Sequence, residues 1–107
     1  MREWSEQTIQ VITETGWQDV LAEICGTFAV HRPLNDFVST FDSISTLTHI
    51  PSGRKLGGAF DYADHAKTVA EAIMAWPDAD WTKAHPDLPK DARQRYEDER
   101  KKIEGAP

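Results

Sequence analysis

Four histidines, one cysteine and a Gly-Arg-Lys turn are the residues of this chain whose types could do chemistry. His31 and His49 fall on segments that read as neighbouring strands, and His65 follows Asp64 at a helix start. A zinc or iron site needs three or four ligands converging at about 2.0–2.2 Å. No HxH, HxxxH or HxxE spacing pre-positions any pair here, so local hydrogen bonding is the plainer role, and no metal or cofactor is expected. Cys25 with His31 or His49 would make a thiolate pair. It falls, however, on the apolar stripe of a segment read as helical, where a cysteine acts as a small hydrophobe. The PSGRKLGG run at 51–58 has glycine and basic residues but lacks the phosphate-loop spacing. A strand follows it where that motif needs a helix, so it reads as a turn.

The elements that must position these residues are clearest between Ser45 and Trp76. Ser43 to Ile50 reads as a strand rich in Ile and Thr, Pro51-Ser52-Gly53 as a hairpin turn, and Arg54 to Phe60 as the returning strand. Asp61 is the expected helix cap, with Asp64 adding negative charge where the helix dipole favours it. Tyr62, Ala66, Val69, Ile73 and Trp76, thickened by Ala63, Ala70 and Met74, make one apolar stripe that stops before Pro77.

Upstream, residues 5–14 are open between a helix capped by Ser5 and an extended segment, because TIQVIT is rich in β-branched residues. Trp17, Val20, Leu21, Ile24 and Cys25 fall one helical turn apart and predict a helix ended by Gly26. Thr27 to Arg32 alternates as a strand, and 33–42 reads as a loop whose Phe37 and Phe41 fold back onto the core. After PDADW the chain has the look of a proline-punctuated tether, followed by a nearly all-charged helix from Lys90 to Glu104 supported by pairs such as Glu97–Lys101. The expected fold is therefore α+β: a three-stranded antiparallel sheet with helices on one face (α-β-β-β-α) in 1–85, and a polar helical extension in 86–107.

Composition narrows the function. The 107 residues carry twelve basic and eighteen acidic side chains, a net charge of −6. Residues 1–26 sum to −4 (one basic, five acidic) and residues 61–85 to −3 (two basic, five acidic), whereas 27–60 sum to +1 (three basic, two acidic). A single cysteine rules out an intramolecular disulfide. No apolar run reaches the roughly 18–20 residues that span a bilayer. The opening residues MREWSEQ lack the apolar stretch of a secretory signal, so no membrane association and a cytoplasmic, reducing setting are expected.

Over residues 17–76, the order helix, three strands, helix resembles the topology of the double-stranded RNA-binding domain. The resemblance implies phosphate contacts from lysines at the start of the last helix. Here that stretch is FDYADHAK, with Asp61 and Asp64 in place of the cations and Lys67 alone remaining. Direct nucleic-acid binding is accordingly not expected. In general character, the chain resembles small accessory proteins of phages and mobile elements, including inhibitors of host defence such as anti-CRISPR proteins. That resemblance implies a non-enzymatic module that occupies a surface on a larger protein or nucleoprotein complex.

On this reading the contact surface is Asp61, Asp64, Glu71, Asp78, Asp80 and Trp81, the last either packed over the helix end or standing out as an anchor. Two alternatives stay open: a nucleic-acid-binding domain using Arg32, Arg54 and Lys55, and a small enzyme with a site around His31, His49 and Asp64. A symmetric dimer through the edge of the third strand or the C-terminal helix is also compatible with the pattern.

Overall fold

The computed structural model describes residues 3–32 and 45–105. Five strands run as an antiparallel meander in the order β1 (Ser5–Thr13), β2 (Gly16–Cys25), β3 (Phe28–His31), β4 (Thr46–His49) and β5 (Arg54–Lys55). Two helices follow, α1 (Ala63–Met74) and α2 (Ala92–Glu104). The expected three-stranded sheet with a helix before it is thus overturned: five strands precede both helices.

The difference lies in residues 5–25, which form one long hairpin. Ile9 and Val11 alternate with polar Thr8, Gln10 and Ile12's outward position, and they meet Val20 and Gln18 across the strand pair. The two-residue turn Glu14-Thr15 closes it, with Thr13 Oγ1 donating to the Gly16 carbonyl at 2.8 Å. Pairing of two β-rich segments through so short a turn wins over the helical spacing of Trp17, Val20, Leu21 and Ile24.

Downstream the expectations fare better. The Pro51-Ser52-Gly53 turn joins β4 to β5, with Gly53 at φ +71°. The strands it joins are shorter than expected, and Ser45 and Phe60 meet in a separate bridge. Residues 33–44, with the expected fold-back of Phe37 and Phe41, lie outside the described residues. Helix α1 buries Ala66, Val69, Ala70 and Ile73 as its spacing predicts. Asp61 is not its cap: Tyr62 holds that position in extended conformation, with no side-chain cap bond.

The sheet has two apolar faces. One, formed by Phe28, Val30 and Leu47, packs on α1 together with Phe60 and Trp81. Each large side chain buried there contributes about 1.5–3 kcal/mol. The other face curls on itself and buries Ile9, Val11, Ala22 and Ala29. The curl brings the tip of the β1–β2 hairpin to the β4–β5 turn, where the Ile12 N–H donates to the Gly53 carbonyl at 2.9 Å.

The segment after α1 is no loose tether. Asp80 and Asp87 pair their backbones, Trp81 is buried, and α2 then lies against α1. Tyr96 and Ile103, both half-buried, pack against the main cluster. The bonds along α2 are Arg100–Glu104 and Gln94–Asp98 rather than the expected Glu97–Lys101. Among the described residues no helix is long and apolar enough to cross a membrane.

Candidate functional site

The histidines occupy different faces. Neighbouring strands do carry His31 and His49, but the register opposes Phe28 to His49 and His31 to Thr46. Side chains alternate along a strand, so His49 points to the helix side and His31 to the curled side.

Buried His31 has a defined tautomer. Its Nδ1 lies 2.8 Å from the Arg32 carbonyl, which only accepts, so the proton sits on Nδ1. Thr48 Oγ1 donates to the unprotonated Nε2 at 2.7 Å. Burial pulls this imidazole below the ordinary histidine value, against a smaller opposing pull from the Arg32 carbonyl. The pair floors a concavity of about 730 Å³ that Val11, Gln18 and Thr46 also line.

His49 is a tie between three segments. Its Nε2–H donates to the Trp81 carbonyl at 2.6 Å, and its Nδ1 accepts from Ser52 Oγ at 2.9 Å. A serine beside an oriented histidine has the outline of a nucleophile and base. An acyl-transfer site also needs donors for an oxyanion. The two amides next to Ser52 are committed: Gly53 N–H to the His49 and Ile50 carbonyls, and Arg54 N–H to Ser52 Oγ itself. The arrangement therefore braces the turn against the segment carrying Trp81. Asp64 bonds to neither histidine, and among the described residues no three His, Cys, Asp or Glu side chains group to hold a metal.

Most of the six residues expected to form the contact surface are used internally. Trp81 is only 9% exposed, and its indole N–H donates to the Ile73 carbonyl at 2.9 Å, so it is no surface anchor. Glu71 accepts the Trp4 indole N–H at 2.9 Å. Asp78 is paired with Arg95 at 2.8 Å, and Asp80 caps the Thr82 amide and hydroxyl. These contacts hold both carboxyls below their usual range. Asp61 and Asp64 stay exposed at the α1 start.

Sequence reasoning missed a different surface. Ile12, Trp17 and Leu21 are 38%, 54% and 59% exposed. Register opposes Ile12 to Trp17, Gln10 to Asp19, Thr8 to Leu21 and Glu6 to Glu23, all on one face of the hairpin. That is the face α1 covers at its far end, where Lys67 pairs with Glu23. Beyond Glu23 the helix stops covering it and the apolar row continues into solvent. From Ser5 to Cys25 the hairpin carries Glu6, Glu14, Asp19 and Glu23 and no lysine or arginine. The usable signal was the pair of large apolar residues in a segment otherwise alternating polar and apolar. A helical reading turns that signal inward.

Arg54 and Lys55, the cations of the nucleic-acid alternative, are exposed neighbours on β5 and line a groove of about 530 Å³ against α2. Comparison with protein-family models, with curated proteins and with solved structures finds no match for this chain.

Proposed function

We propose that this chain is a non-enzymatic protein-binding module that docks through the outer face of its β1–β2 hairpin. The observation that carries the reading is the exposed row Ile12, Trp17 and Leu21, set in register on a hairpin without a single basic residue. Exposed tryptophan beside aliphatic side chains is the composition of binding hot spots, and desolvating it supplies most of the affinity. The acids around the row select the partner: a protein surface with an apolar pocket rimmed by lysine and arginine. They also disfavour a second copy of the same face, which would set like charges opposite one another.

Surfaces of that description occur on nucleic-acid-handling complexes. Occupying one would make the chain an inhibitor of the kind used by phages and mobile elements against host defence, a reading that rests on charge sign and size. A free, buried Cys25 suits a reducing cytoplasm.

The test compares capture of lysate proteins by the parent chain, by a Trp17→Ser/Leu21→Glu variant and by an Asp61→Lys/Asp64→Lys variant, each with and without nuclease. The expected result is a basic protein retained after nuclease, lost with the hairpin variant and kept with the helix variant. Capture indifferent to the hairpin change would overturn the docking face. Recovery of nucleic acid that nuclease removes would overturn protein binding itself.

A further inference from the structure

A second site, independent of the hairpin, lies between the edge of β5 and α2. The groove there encloses about 530 Å³, within the range of small-ligand clefts, and Leu56, Trp76, Trp81, Leu88 and Tyr96 form its apolar lining. Leu88 remains 41% exposed although it faces this concavity. Arg54 and Arg93, which line the groove, have no carboxylate partner among the described residues, whereas Lys55 opposes Thr48 and projects to the curled side. One further lining cation, Arg100, is already paired with Glu104. Glu97 is the single acid on the rim, and it pairs with none of them.

We infer that this groove binds a small organic anion, an apolar body carrying one carboxylate. Apolar walls remove the body from water, and Arg54 and Arg93 at the mouth supply charge-assisted hydrogen bonds to the head group. A neutral ligand of the same shape would leave those cations unused. A cationic one would meet repulsion. The walls are already held in place without ligand, because Tyr96 donates to the Leu56 carbonyl at 2.8 Å and Arg100 to the Gly58 carbonyl at 2.7 Å. Binding therefore needs little ordering of the protein.

The four tryptophans make the test self-controlled, since Trp76 and Trp81 line the groove while Trp17 sits on the hairpin and Trp4 against α1. The full chain is titrated with decanoate, then with decyltrimethylammonium, below their micelle concentrations, while the four indole N–H resonances are followed by NMR. The expected result is saturable movement of Trp76 and Trp81 with decanoate, little movement of Trp17 and Trp4, and no saturation with the cation. Arg54→Gln/Arg93→Gln, both exposed positions, should weaken decanoate about tenfold or more with an unchanged thermal midpoint. Equal response to both detergents, uniform movement of all four indoles, or no movement would each overturn the site.

Discussion

The His49 imidazole donates from Nε2 to the Trp81 carbonyl at 2.6 Å, while the two rings pack edge to face with centroids 5.6 Å apart. Phe28 completes the cluster, 5.0 Å from the Trp81 ring. A strand residue and a residue beyond α1 thereby share one buried, fully hydrogen-bonded contact. His49→Phe keeps ring volume but leaves the Trp81 carbonyl unpaired, and we expect a loss of about 1–3 kcal/mol in urea unfolding. Trp81→Phe, which also removes the donor to the Ile73 carbonyl and part of the core volume, should cost about 2–4 kcal/mol. A change under about 0.5 kcal/mol in either variant would contradict the tie.

Gly53 is where the curled sheet meets itself. Its φ of +71° is a left-handed conformation, and a Cβ there would meet the ring of Trp17. Gly53→Ala should therefore destabilise by about 1–3 kcal/mol. In a Trp17→Ala background part of that cost should vanish, because the ring is gone while the backbone strain remains. A double-mutant cycle with no coupling would show that the hairpin tip does not rest on the turn.

How much of this was legible in the residues depends on whether a pattern had one solution. Helix α1 did: Ala66, Val69, Ala70 and Ile73 fit only a helical stripe, and Trp76-Pro77 ends it. The Pro51-Ser52-Gly53 turn did too. Residues 17–25 had two solutions, because a strand with Val20, Ala22 and Ile24 inside and Trp17 and Leu21 left outside places apolar residues at helical spacing as well. What decided between them was pairing with β1, a long-range fact. The candidate site suffered from the same ambiguity. A helical 17–25 hides Trp17 and Leu21 and leaves the acids from Asp61 onward as the main surface, whereas Glu71, Asp78 and Asp80 are bonded within the chain.

Stability should fall as the solution becomes mildly acidic. Burial lowers the folded-state pKa of His31, so the unfolded chain takes up this proton first. Its contribution is fully present above about pH 6.5, the ordinary histidine value, and declines as pH drops below that toward the folded-state pKa. Asp78, Asp80 and Glu104 have depressed pKa values and lose their contribution only in the more acidic range below about pH 4.5. Urea unfolding between pH 8 and 5 should give a smaller slope of stability against pH for His31→Gln than for the parent. Identical slopes would place the proton uptake elsewhere.

Helix α2 is fastened by few groups. Tyr96, whose hydroxyl burial pushes up to about 12, donates to the Leu56 carbonyl, and Arg100 lies 3.7 Å over the Phe60 ring while bonding the Gly58 and Ala59 carbonyls. Tyr96→Phe should cost about 1 kcal/mol. Arg100→Ala should cost more, since it removes stacking as well as two carbonyl partners. Hydrogen exchange should show faster exchange of α2 amides in both variants with α1 protection retained. Global loss of protection would mean that α2 is part of the cooperative unit.

The meander has a consequence for how quickly the chain finds its fold. Every strand pairs with its neighbour in sequence, so sheet growth proceeds by successive short closures, each a hairpin that forms on the order of 1–10 μs in isolation. The longest of these closures joins β3 to β4 across residues 32–45, and we expect it to be the slowest step of sheet assembly. The seam between Ile12 and Gly53 has nothing to join until that step is complete. Among the described residues one backbone hydrogen bond and the Trp17 ring on Gly53 hold that seam, and we expect the curled sheet to open there before the rest unfolds.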